Sequence, residues 1–76
     1  MPLIRVSLLD GVFSDEQRQQ MVVRLADTMA EVVGEPYRQV TWVLIDDVRS
    51  GELSIGGNPI TTEQARSLAR PPVPAG

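Results

Sequence analysis

The 76 residues allow one small domain, with 42% apolar residues for a core and a formal charge of −3 that disfavours nucleic acid or an anionic membrane as a partner. Cys and His are both absent, which removes disulfides, thiolate chemistry, His-based triads and the commonest zinc ligand. No apolar run approaches the roughly 20 residues of a membrane span, and MPLIRVSLLDG lacks the charged start and long apolar run of a secretory leader, so a cytoplasmic protein is expected.

Residues 2–9 read as a strand, because Ile4, Val6 and Leu8 alternate with Arg5 and Ser7. Asp10-Gly11 supplies turn chemistry at its end. Ser14-Asp15-Glu16-Gln17 fits a capping box, and Met21, Val22, Leu25, Met29, Val32 and Val33 follow at helical spacing. Gly34 and Pro36 stop that pattern, which predicts a helix over 15–33. Val40 to Asp47 reads as a second strand, apolar on both faces at its centre and therefore expected to be central and covered on both sides. Strand, helix, strand in this order predicts a βαβ unit with parallel strands. After Ser50-Gly51, Leu53 to Gly57 reads as a very short strand or hairpin arm, with Gly56-Gly57 as a turn of positive φ. Thr61 and Gln64 form a second capping pair for a short helix to about Ala69. The expected organisation is α/β, with one domain over 1–70 and a Pro-rich tail over 71–76.

A domain below about 80 residues rarely gains more than ~3–5 kcal/mol from its own core. Disulfides are unavailable here, and a structural metal lacks its usual ligands. Self-association is the expected remedy.

Pro2 is the residue that points to chemistry. Initiator Met is commonly removed before a small residue, and Pro qualifies. The mature chain then begins with a secondary amine, a base that needs neither His nor Lys. An α-amino group titrates near ~7.7–8.0, and an apolar pocket lowers that value by disfavouring the cation. Such a base suits proton transfer near neutrality. The structural alternative is an ordinary proline at the first position of a strand.

The order Pro2-Leu3-Ile4, Asp10-Gly11, Ser14 to Gln17, the apolar second strand and Ile55-Gly56-Gly57 resembles the 4-oxalocrotonate tautomerase family over residues 2–57. The resemblance implies a small βαβ tautomerase-like fold with a short hairpin arm and a short second helix. It also implies a mature N-terminal proline acting as general base or acid, no cofactor, and small 2-oxo acids or their enols as substrates. Homohexamers built as three dimers, with sites near subunit boundaries, are implied as well. An assembly with a second kind of chain, a hydratase or decarboxylase chemistry, or a non-catalytic small-molecule binder of the same fold are the other readings.

The sequence departs from the family prototype at its anion-binding arginines. Gly11-Val12-Phe13 stands where the first arginine is found, and Trp42 stands near the place of the second. Leu53 falls at about the position of a phenylalanine that walls the prototype's site. A monoanionic, partly apolar substrate such as an arylpyruvate is therefore expected over a dicarboxylate. Trp42, Leu53 and Leu9 are candidate pocket residues, and Arg49 is a candidate replacement for a lost arginine. Each has a plainer reading: Trp42 as core or interface packing, Arg49 as a surface cation. Arg5 lies on the strand face opposite Pro2 and is expected in a salt bridge or an interface contact. Asp46-Asp47 reads as a solvated strand end rather than a metal site.

Overall fold

The computed structural model describes residues 2–69. Met1 and the expected tail over 71–76 lie outside the described residues. Strand β1 (Leu3–Leu9) is followed by helix α1 (Asp15–Val33), a 3₁₀ segment (Glu35–Val40) and strand β2 (Trp42–Val48). A hairpin of β3 (Leu53–Ile55) and β4 (Asn58–Ile60) precedes helix α2 (Thr62–Arg66).

The bounds of α1 follow from local chemistry. Ser14 accepts a hydrogen bond from the Gln17 N–H at 3.1 Å, and the Gln17 side chain accepts from the Ser14 N–H at 3.0 Å. Asp15 and Glu16 sit in the first turn, where the helix dipole favours negative charge. At the other end the Gly34 N–H reaches the Ala30 carbonyl at 2.8 Å, with Gly34 at φ 115°.

β1 and β2 pair in parallel, in register from Leu3↔Trp42 to Leu9↔Val48. α1 is the crossover that a parallel pair requires. Ile4, Val6, Leu8, Val43 and Ile45 are half-buried on the face that α1 covers. Leu3, Trp42 and Leu44 alternate with them on the other face and are exposed. β2 thus differs from the expected central strand: its sheet has two strands, and among the described residues no element covers its second face. Among the described residues only Leu9 and Ala30 are buried.

The apolar stripe of α1 also runs less far than its spacing suggests. Met21, Val22, Leu25 and Met29 are half-buried, whereas Val32 is 76% exposed. A helix of 19 residues is about 28 Å long, and a strand of 7 residues only about 23 Å. Arg18 in the second turn pairs with Asp47 at the far end of β2, so the surplus length projects at the Val33 end.

The remaining segments are fixed by hydrogen bonds. In the 3₁₀ segment Arg38 pairs with Glu35 at 2.6 Å and with Asp27 of α1. Val40, expected to open the second strand, lies in this segment instead. The Ile55↔Asn58 pair closes a two-residue hairpin loop with Gly56 and Gly57 at φ 60° and 84°, the positive values that such a turn demands. α2 is docked on the turn after β1: Thr62 Oγ1 donates to the Asp10 carbonyl at 2.7 Å, and Arg66 Nε to the Gly11 carbonyl at 2.8 Å.

Candidate active site

Pro2 immediately precedes β1 and is half-buried. Its carbonyl accepts the backbone N–H of Trp42 at 2.9 Å, the first rung of the parallel ladder. Proline is compatible with this place because it has no N–H to contribute there. The bond fixes the backbone of Pro2 at the end of the sheet where β1 and β2 begin.

The Trp42 side chain is on the outer face of the sheet, opposite Leu3 in register, and is 63% exposed. It is a neighbour of Pro2 through the backbone rather than a buried core residue. Arg5 lies on that same outer face and pairs with Asp46 at 2.6 Å, the ion pair expected of it. Asp47 alternates to the helix-facing side, where Arg18 holds it through two hydrogen bonds of 2.7 and 3.0 Å. The two adjacent aspartates therefore face opposite sides, each with its own arginine.

Leu9 and Leu53 meet at the other end of β1. They line an open pocket of about 400 Å³ together with Val12, Phe13, Ala65 and Leu68. Leu9 is 8% exposed and forms its floor. The walls are aliphatic and aromatic, with the Ser7 position as the polar exception. Arg49 stands outside the pocket lining, is largely exposed, and its nearest carboxylate is Glu52 at 4.0 Å.

The five sequence candidates thus fall into two groups and an outlier. Pro2 and Trp42 occupy one end of the sheet, and Leu9 and Leu53 the other. The seven residues of β1 between them span about 23 Å. Within one chain Pro2 and the Leu9–Leu53 pocket therefore lie at opposite ends of the strand. Sequence patterning marks neither Phe13, noted only within the segment that stands in place of an arginine, nor Leu68 as a pocket residue. Phe13 precedes the helix cap with no periodic partner, and Leu68 joins the pocket only because α2 docks on residues more than fifty positions earlier.

The shifted titrations belong to the scaffold. Hydrogen bonding to Asp47 favours the charged form of Arg18, and bonds to Glu35 and Asp27 do the same for Arg38. The Arg38 guanidinium in turn holds the Glu35 carboxyl below its ordinary value. Among the described residues no helix is long and apolar enough to cross a membrane.

A family model described as "Tautomerase enzyme" matches residues 2–63. Among solved structures, an apo unfused 4-OT is 32% identical, with a TM-score of 0.68, covering 83% of this chain and 97% of its own. A 4-oxalocrotonate tautomerase homologue is 27% identical, with a TM-score of 0.67, over 83% of this chain and 94% of its own. DmpI from Helicobacter pylori is 30% identical, with a TM-score of 0.68, over 78% of this chain and 95% of its own. No curated protein matches.

Proposed function

The chain belongs to the tautomerase family, and on that premise we propose that its mature form begins at Pro2, whose amine moves a proton between the enol and keto forms of a small 2-oxo acid. The observation that carries this reading is the position of Pro2. The family match begins at that residue, and its carbonyl is bonded to the second strand, so removal of Met1 leaves an amine with a defined direction.

In the ketonising direction the prolyl nitrogen takes the hydroxyl proton of the enol. The O–H bond breaks, the carbonyl forms, and the prolyl ammonium returns a proton to C3 as the C–C double bond becomes single. An amine that serves as base in one half and acid in the other leaves no net change in the enzyme. No cofactor is required for this balance.

The distance from Pro2 to the Leu9–Leu53 pocket makes assembly part of the proposal. Pro2 of one copy serves the pocket of another, in a homo-oligomer assembled as three dimers. The outer sheet face of Leu3, Trp42 and Leu44 supports this, since single chains leave it exposed. Trp42 then becomes an interface or pocket-wall residue. Arg49, with its weak pairing to Glu52, is the cation most easily recruited across a boundary.

The test is an intact mass of the purified protein combined with the conversion of phenylenolpyruvate to phenylpyruvate. Loss of Met1 together with measurable turnover supports the reading. A retained Met1 without turnover overturns it in favour of a non-catalytic binder, and turnover that survives Pro2→Ala intact removes Pro2 from the chemistry.

A further inference from the structure

We propose that Phe13 determines how long a ligand the Leu9–Leu53 pocket accepts: its ring is the partition between that pocket and a second recess along α1, so that the site favours a substrate with a single aromatic ring over one with two rings in line. The proposal rests on the reading of this pocket as the substrate site and specifies the size of substrate it takes.

The second recess has a volume of about 230 Å³ and is lined by Phe13, Gln17, Gln20, Met21 and Arg24. Positions 17, 20, 21 and 24 recur at intervals of three and four, which places them on one face of α1. That face runs up to the cap at Ser14, and Phe13 is the residue immediately before it. Phe13 also lines the Leu9–Leu53 pocket of about 400 Å³, and it is the one residue common to both linings. A side chain that borders two recesses stands between them.

The backbone on either side of this ring is pinned. The Asp10 and Gly11 carbonyls accept from Thr62 Oγ1 at 2.7 Å and from Arg66 Nε at 2.8 Å. Ser14 is held by its reciprocal bonds with Gln17, of 3.1 and 3.0 Å. Val12 and Phe13 alone lie between the two anchors. Phe13 is half-buried. A segment this short, fixed at both ends, has little freedom to close over a missing ring. Removing the ring therefore leaves a cavity instead of a collapsed chain, and that cavity joins the two recesses.

The space beyond the ring suits an aromatic extension. Met21 continues the apolar lining there. Gln17 is committed to the cap, whereas Gln20 and Arg24 are exposed and have no side-chain hydrogen bond or ion pair among the described residues. A second ring on a ligand would lie against Met21 with its far edge in water. In the unmodified protein that ring meets Phe13 instead. Burying an extra aromatic ring improves affinity by roughly tenfold or more, so the partition has a measurable effect. A role for Phe13 in packing alone would weaken short and long ligands alike.

The experiment titrates 3-phenylpropanoate and 3-(biphenyl-4-yl)propanoate into ¹⁵N-labelled protein. The two probes share the carboxylate and differ by one ring, so the ratio of their Kd values reports the apolar body alone. In the unmodified protein the single-ring probe should bind at least as tightly as the longer one, with amide shifts centred on Val12, Phe13 and Leu53. Phe13→Ala should move the ratio at least tenfold towards the two-ring probe, which alone should then shift Gln20, Met21 and Arg24. Adding Gln20→Trp, at an exposed position of the recess, should reverse that gain. Tighter binding of the two-ring probe to the unmodified protein overturns the proposal whether or not the variants fold. So do shifts centred elsewhere, or a ratio that Phe13→Ala leaves unchanged. Phe13→Leu keeps an apolar side chain and serves if Phe13→Ala unfolds: the ratio should move the same way by a smaller factor, and an unchanged ratio counts against the partition. The stated ratios without turnover of phenylenolpyruvate sink the catalytic reading alone. Turnover without those ratios sinks this one alone.

Discussion

The backbone N–H of Trp42 donates to the carbonyl of Pro2 at 2.9 Å, so the first bond of the β1–β2 ladder is made by the residue on which the proposed chemistry depends. The proposed catalytic geometry and the first rung of the sheet are coupled at this point. A change that loosens the start of β2 moves Pro2 as well.

The first prediction concerns that nitrogen. Activity should rise with pH as the prolyl ammonium gives up its proton, and a ¹⁵N titration of the terminal amine should yield the same pKa as the kinetic profile. Pro2→Ala keeps a primary amine but alters basicity and rigidity, and kcat/KM should fall about 10²–10⁴-fold. A mismatch between the kinetic and spectroscopic values would remove Pro2 from the role of base.

The second concerns the outer sheet face. Sedimentation at micromolar concentration should give a hexamer. Leu44→Asp places a charge in the middle of the exposed Leu3–Trp42–Leu44 patch and should shift the protein to smaller species with loss of turnover. A folded, active monomer of the unmodified chain refutes the assembly and the shared site together.

The third is a pH dependence of stability. Glu35 is held below its ordinary carboxyl value of 4.5, first by its hydrogen bond from Arg38. A depressed folded-state value contributes stability above the unfolded-state value, which is lost as pH falls through the folded one. Glu35→Gln should therefore lower Tm at pH 7 and leave it unchanged well below pH 4.5. A deficit that persists in acid would mean that the side chain acts by packing rather than by charge.

The fourth tests the helix cap. Ser14→Ala removes the acceptor for the Gln17 N–H and should cost about 1 kcal/mol. At fixed protein concentration that corresponds to a fall in Tm of roughly 4–8 °C for a domain of this size. Thermal unfolding followed by circular dichroism measures it, and an unchanged Tm would show that Gln17 finds other support.

The parts of the fold written in short-range chemistry are the parts that sequence reading located. α1 spans Asp15–Val33 because Ser14 and Gln17 cap one end and Gly34 ends the other. The Gly56-Gly57 turn is legible for the same reason. The start of β2 is not, because Val40 has strand propensity yet sits in a 3₁₀ segment held by Arg38 and by Thr41 Oγ1 donating to the Tyr37 carbonyl at 2.7 Å. α2, expected to reach Ala69, ends at Arg66, after which bonds from Leu68 to Ala65 and from Ala69 to Arg66 tighten the last turn. In the site, Pro2 is visible from residue type alone. The pocket depends on α2 meeting a turn more than fifty residues earlier, and no local pattern encodes that.

The docking of α2 also orders events in time. Five residues are too few for a helix to persist alone, so α2 exists only while Thr62 and Arg66 hold Asp10 and Gly11. Those contacts close loops of 52 and 55 residues, and their entropy cost must be met before they contribute anything. They are therefore expected to form after β1, α1 and β2 have come together. In that order a βαβ scaffold precedes the Leu9–Leu53 pocket, whose wall is complete only once α2 has folded back onto the Asp10–Gly11 turn.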